Sequence, residues 1–122
     1  MKNYIDWWKY VVTEKYINFS GRASLNEYWG FYIANISLVL MLQIMVYFFK
    51  GLFLTVSIVF GFFTLLPNLG VSARRLHDTG RSAWYLLLGF VPFIGFILLL
   101  YYFLQPGDTN KNEYGDVPNK EI

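Results

Sequence analysis

A chain of 122 residues allows one domain, and its make-up of 56% hydrophobic, 21% aromatic and only 15% charged residues lies far from the roughly 25% charged residues of a water-soluble protein. A formal net charge of +2 is too small to point to nucleic acid, and the absence of cysteine excludes disulfides, thiolate metal sites and a thiol nucleophile. The charges are also segregated: residues 28–49, 51–73 and 83–104 contain no Asp, Glu, Lys, Arg or His. Each run is long enough to cross a hydrocarbon core of ~30 Å as a helix, and none carries the polar stripe of a soluble helix. The expected fold is therefore all-α: a single membrane domain over 1–122, with three transmembrane helices preceded by an amphipathic interfacial helix.

That first helix is expected over 3–17. Tyr4, Trp7, Trp8, Val11 and Val12 recur at helical spacing, with Lys2, Asp6, Lys9 and Thr13 on the other side. Such a face suits the headgroup boundary, and it equally suits packing against the protein's own spans. The spread of charges through these residues leaves no apolar h-region, so no cleaved signal peptide is expected. Gly21 then permits a turn next to Arg22, and Ser24 with Glu27 reads as a capping box that opens the first span.

Within that span Asn35 and Gln43 lie eight apart and share a face that can bond to another helix. Lys50 alone separates the first two spans, which must form a tight hairpin. In the second, Pro67 removes a backbone donor and predicts a kink, with Asn68 as partner for the freed carbonyl. Gly80 fits the position just past a helix end, Ser82 an N-cap for the third span, and Pro92 a kink within it. The tail over 105–122 is rich in turn formers and reads as an exposed end.

Between the second and third spans the loop from Arg74 to Ser82 concentrates three of the four arginines, the only histidine and an aspartate. Arg74, Arg75, His77, Asp78, Arg81 and Ser82 are therefore the candidate ligand-binding residues. Two readings stay open: a topological role, in which positive charge holds the loop in the cytoplasm, and a site where arginine forks grip an anionic lipid headgroup or a phosphorylated ligand. A membrane enzyme acting on a lipid-linked or phosphorylated substrate is a weaker alternative, since His77 and Asp78 are helix neighbours that do not face each other. No catalytic residue, metal site or cofactor is expected. The tail's Asp108-x-Asn110-x-Asn112 fails as a calcium loop because Glu113 stands where glycine is needed.

Taken together, Phe19-x-Gly21-Arg22-Ala23-x-x-x-Glu27-Tyr28-Trp29, the run from Leu66 through Arg74-Arg75-Leu76-His77-Asp78-Thr79-Gly80-Arg81-Ser82 to Trp84, Pro92-Phe93-Ile94-Gly95, Pro106-Gly107 and Asn112-x-Tyr114-Gly115 closely resemble the bacterial family called domain of unknown function 805. The resemblance covers nearly the whole chain. It implies a protein of the bacterial cytoplasmic membrane and transfers no activity. The lipid bilayer is the expected partner, with anionic headgroups, a second copy or another membrane protein as further candidates. Basic residues before the first span and in the central loop predict a cytoplasmic N-terminus and central loop, with the tail outside.

Overall fold

The computed structural model describes residues 2–118, and within them the chain is all-helical. Helix α1 covers Tyr4–Glu14, α2 Leu25–Phe49, α3 Gly51–Asp78 and α4 Ile94–Leu104, with a 3-10 helix over Ala83–Phe90 between α3 and α4. Asn3 and Asp6 close a capping box at the start of α1. Ser24 accepts from the Glu27 amide at the start of α2, as expected, while the Glu27 carboxylate turns away to Arg74 of α3. Lys50, at φ +49, is the whole connection between α2 and α3, so the two form the expected hairpin.

Helices α2 and α3 are long and apolar enough to cross a membrane, and only 17% and 11% of their most apolar windows are buried inside the protein. Apolar helices this bare are not the core of a water-soluble fold, where such surface would be covered. Burial is concentrated instead at the other end of the pair, where Val11, Ala23, Tyr28, Phe31, Val71, Leu76 and Phe103 form a small core.

Helix α1 turns its apolar face to the protein. Trp7 and Val11 are buried, Trp8 donates its indole N–H to Asn35 Oδ1 at 3.0 Å, and its ring stacks on Phe60 at 6.2 Å. The residues that suggested a helix lying on lipid are thus largely used in packing against α2 and α3. Asn35 thus bonds to another helix, as its face allowed, while Gln43 is exposed.

Pro67 lies inside an unbroken α3. The carbonyl that it deprives of a donor is that of Phe63, four residues earlier, and this carbonyl accepts from the Tyr16 hydroxyl at 2.6 Å. Asn68, the partner expected from sequence, bonds instead to Thr64 O at 2.9 Å. Proline thereby creates the acceptor on which the chain after α1 docks.

The third apolar run, expected to be one transmembrane helix, is not confirmed as a span. It is not one helix: it rises as the 3-10 helix, reverses at Val91–Phe93, and returns as α4. Val91 is extended, as a residue before proline prefers, Pro92 cannot donate, and Phe93 takes φ +62. Gly95 lies against the Leu88 carbonyl, leaving no room for a Cβ, which lets the two legs meet. Eight residues at about 2.0 Å each and eleven at about 1.5 Å each give legs of nearly equal rise, about 16 Å, so the chain ends level with where it began. At the feet Tyr85 meets Tyr102 with ring centroids 5.7 Å apart.

Since the third run returns, residues 105–118 lie at the end of the bundle that holds Arg22 and Asp78, where several of them are bonded while much of the segment stays exposed. Residues 119–122 lie outside the described part.

The proline and tyrosine should be coupled. Tyr16→Phe is expected to lose about 1–3 kcal/mol by orphaning the Phe63 carbonyl. In a Pro67→Ala background the same change should cost under about 1 kcal/mol, because the restored amide at position 67 satisfies that carbonyl. Thermal unfolding of the four proteins in detergent measures the cycle, and simple additivity would contradict it.

Candidate functional site: a buried arginine and carboxylate cluster

The polar run between the apolar stretches is mostly not a loop. Helix α3 continues through Arg74, Arg75, Leu76, His77 and Asp78, all of them buried. It ends in a Schellman motif: Arg81 N–H donates to Leu76 O at 2.9 Å and Gly80 N–H to His77 O at 3.0 Å, with Gly80 at φ +80. Gly80 is therefore the helix-terminating glycine that its position suggested. Ser82 has the extended backbone of an N-cap but makes no capping side-chain bond.

Asp78 is the hub. Its Oδ1 accepts from Arg22 Nε at 2.8 Å and its Oδ2 from Arg75 Nη1, so one carboxylate bridges two guanidinium groups, all three side chains at most 5% exposed. Arg22 spends its remaining N–H groups on the tail: Nη1 donates to Asn110 O at 3.0 Å and Gly115 O at 3.1 Å, and Nη2 to Asp108 O at 2.6 Å and, longer, to Asp78 O. Arg75 reaches Ala23 O at 3.0 Å and, at the C-terminal end of α4, the carbonyls of Phe103 and Gln105. A cation is well placed there, at the negative end of the helix dipole with unpaired carbonyls to satisfy.

Arg74 faces another way. Its Nη1 pairs with Glu27, its Nε donates to Asn18 O at 3.2 Å, and its Nη2 is buried without a partner. Three guanidinium groups thus share two carboxylates, and backbone carbonyls supply the remaining acceptors.

His77 and Asp78 diverge, as their adjacency on a helix requires. His77 Nδ1 lies 2.9 Å from Gly21 O, so this nitrogen carries the proton, and the ring stacks on Tyr114 with centroids 4.0 Å apart. Desolvation first, and the adjacent Glu113 carboxylate second, lift the Tyr114 phenol above its ordinary range. Asn112 donates to His77 O at 2.9 Å, and Asp108 N–H to Asp78 O at 2.7 Å. Gly107 packs so closely on the Asp78 carboxylate that no side chain fits there. Arg81 stands apart from the cluster, half-buried with its guanidinium 4.1 Å from the Tyr102 ring centroid.

Of the residues marked in sequence, the structure brings together Arg22, Glu27, Arg74, Arg75, His77 and Asp78, with Gly21 and Ser24 beside them, and leaves Arg81 and Ser82 at the edge. Pro67 and Pro92 lie elsewhere, at the α1 dock and the hairpin tip. Sequence reading did not find that Asp108, Asn110, Asn112, Tyr114 and Gly115 complete the cluster: Asp108, Asn110 and Gly115 join it through backbone carbonyls, which leave no signature in residue type, and the side chains of Asn112 and Tyr114 carry no charge to mark them. No group of three or more potential metal ligands occurs among the described residues. A pocket of about 280 Å³ flanks the cluster, lined by Ser24, Asp78, Gly107, Asp108 and Thr109 among others.

Removing one partner from a buried ion pair leaves an uncompensated charge, so Asp78→Asn is expected to cost about 3–5 kcal/mol. Arg81→Gln, which removes one half-buried cation–π contact, should cost about 1 kcal/mol or less. Unfolding of both variants in detergent checks the ranking, and equal losses would contradict it.

Comparison with known proteins places this arrangement. The family model described as "Protein of unknown function (DUF805)" matches residues 16–116, a range that includes every member of the cluster. The chain is 40% identical over 112 residues to the inner membrane protein YhaI of Escherichia coli K12, covering 91% of this chain and 94% of that one. It is 35% identical over 121 residues to the inner membrane protein YhaH of the same organism, covering 93% and 98%. No solved structure matches. With its cluster, its bare apolar helices and relatives named as inner membrane proteins, the chain belongs to the DUF805 family.

Proposed function

We propose that this is a two-span protein of the bacterial inner membrane, with its N-terminal segment, arginine cluster and tail all in the cytoplasm, and that it acts by binding at the membrane surface rather than by catalysis. The observation that carries the reading is the distribution of charge. Among the described residues Lys2, Lys9, Lys15, Arg22, Arg74, Arg75, Arg81 and Lys111 belong to segments at the cluster end, and Lys50 alone sits at the far turn. Such a bias holds the cluster end in the cytoplasm. Because the third apolar run returns to that end, the tail goes with it, which replaces the outside location expected from counting three spans.

The arginine cluster then acts as an internal fastening. Forks committed to Asp78, Glu27 and backbone carbonyls are not available to grip a phosphate, so the contact with anionic headgroups falls to the outer cations: Arg81 and exposed Lys9 and Lys111. Each basic group near an anionic surface contributes about 1 kcal/mol.

Fusion of green fluorescent protein after Ile122 should fluoresce, and alkaline phosphatase fused there should be inactive. The reverse pattern would overturn the topology. Anionic lipid retained after mild detergent extraction, read by native mass spectrometry, should fall in the Lys9→Gln, Arg81→Gln, Lys111→Gln triple variant. Unchanged retention would overturn the surface-binding role.

A further inference from the structure

Resting on the two-span reading, the geometry points to the 83–104 hairpin as an anchor that enters only the cytoplasmic leaflet, with lipid acyl chains as its partner. The hairpin is apolar throughout: no charged residue occurs between Arg81 and Asp108. Beyond Phe103 and the leg residues Leu86, Leu99 and Tyr102 that pack on the core, most of its side chains are left uncovered by the protein, with Phe90 83% and Phe93 84% exposed at the tip and Trp84 77% exposed at one foot. A helix lying flat on a membrane needs a polar face toward water, and this hairpin has none. Its legs rise about 16 Å, about half of a ~30 Å core, and both feet are tied to the cluster end.

The backbone is prepared for such a place. In lipid a bend must satisfy its own polar groups, and here Val91 N–H donates to Leu88 O at 2.9 Å, Ile94 N–H to Pro92 O at 2.7 Å and Gly95 N–H to Val91 O at 3.2 Å. The aromatic residues with polar tips, Trp84, Tyr85, Tyr101 and Tyr102, lie at the feet, whereas the tip carries Phe90, Val91, Pro92 and Phe93. This is the order that the headgroup boundary and the chains beneath it select. The hairpin is also continuous with the spans, since Phe103 stacks on Tyr28 with centroids 4.7 Å apart and Trp29 donates to Phe103 O at 3.0 Å.

One consequence is a wedge. The cytoplasmic leaflet holds α2, α3 and both legs of the hairpin, and the opposite leaflet holds α2 and α3 alone.

The chain has no cysteine, so single cysteines report unambiguously in the full-length protein reconstituted in vesicles. Phe93→Cys and Phe90→Cys each place a label at the tip, Trp84→Cys one at a foot, and Thr109→Cys one in the tail. The tip positions should react with membrane-impermeant maleimide from either side at under about a tenth of the Thr109→Cys rate, as buried in lipid. A nitroxide there should be quenched by oxygen and not by a water-soluble nickel complex, with the Trp84→Cys label shallower. Tip labelling from the tail's side would mean a hairpin on the surface, and tip labelling from the other side would mean a third span. Protection without oxygen access would mean that a second copy covers it. Each of these overturns the proposal. Thr109→Cys labelled from the side that labels Lys50→Cys, and not from the side that labels Ser20→Cys, overturns the two-span topology instead, so the two failures are distinguishable.

Discussion

Everything at the clustered end of this molecule depends on one carboxylate held between two guanidinium groups. Asp78 ends α3, Arg22 precedes α2, and Arg75 reaches the end of α4, so the two ion pairs, together with the bonds from Arg75 to the Phe103 and Gln105 carbonyls, tie three separate segments to one point. Once Asp78 anchors Arg22, the other N–H groups of that arginine collect the tail carbonyls. A buried pair of this kind contributes little net stability against an apolar replacement, but it has strong directional demands, because each unmet donor would be costly. Its effect is to fix which segments meet.

That constraint accounts for the rest of the architecture. With α2 and α3 joined at Lys50 and fastened again at Asp78 through Arg22, and at Glu27 through Arg74, the pair is closed at both ends while the middle stays bare. The third apolar run must leave and return to the same place, which limits it to a hairpin. Helix α1 is held separately, through the Phe63 carbonyl that Pro67 leaves free and through Asn35.

Much of the fold was legible in the sequence: the helical class, the two-helix hairpin at Lys50, the Ser24 cap and the Gly80 terminus all follow from local chemistry. The polar run was also the right place to look. Its form was not legible, because charged residues adjoining a charge-free run read as a loop, whereas burial with Asp78 and Glu27 lets Arg74 and Arg75 remain helical. The hairpin was misread for a related reason: a charge-free run of span length reports only that the segment avoids water. Gly89, Pro92 and Gly95 gave the signal, but a proline kink and a proline reversal look alike until the partner of each leg is known. The tail escaped because it binds Arg22 through backbone carbonyls, which every residue carries, and His77 through the uncharged side chains of Asn112 and Tyr114.

The central claim is that Arg22, Asp78 and the tail meet on one side of the bilayer, and a distance measures it most directly. Ser20 and Thr109 are exposed and flank the contact, so spin labels on Ser20→Cys, Thr109→Cys protein in lipid discs report it by double electron–electron resonance. The account predicts one narrow distribution well under about 30 Å, less than the thickness of the hydrocarbon core. A distribution centred at about 40 Å or more, the span of a bilayer with its headgroups, would contradict it.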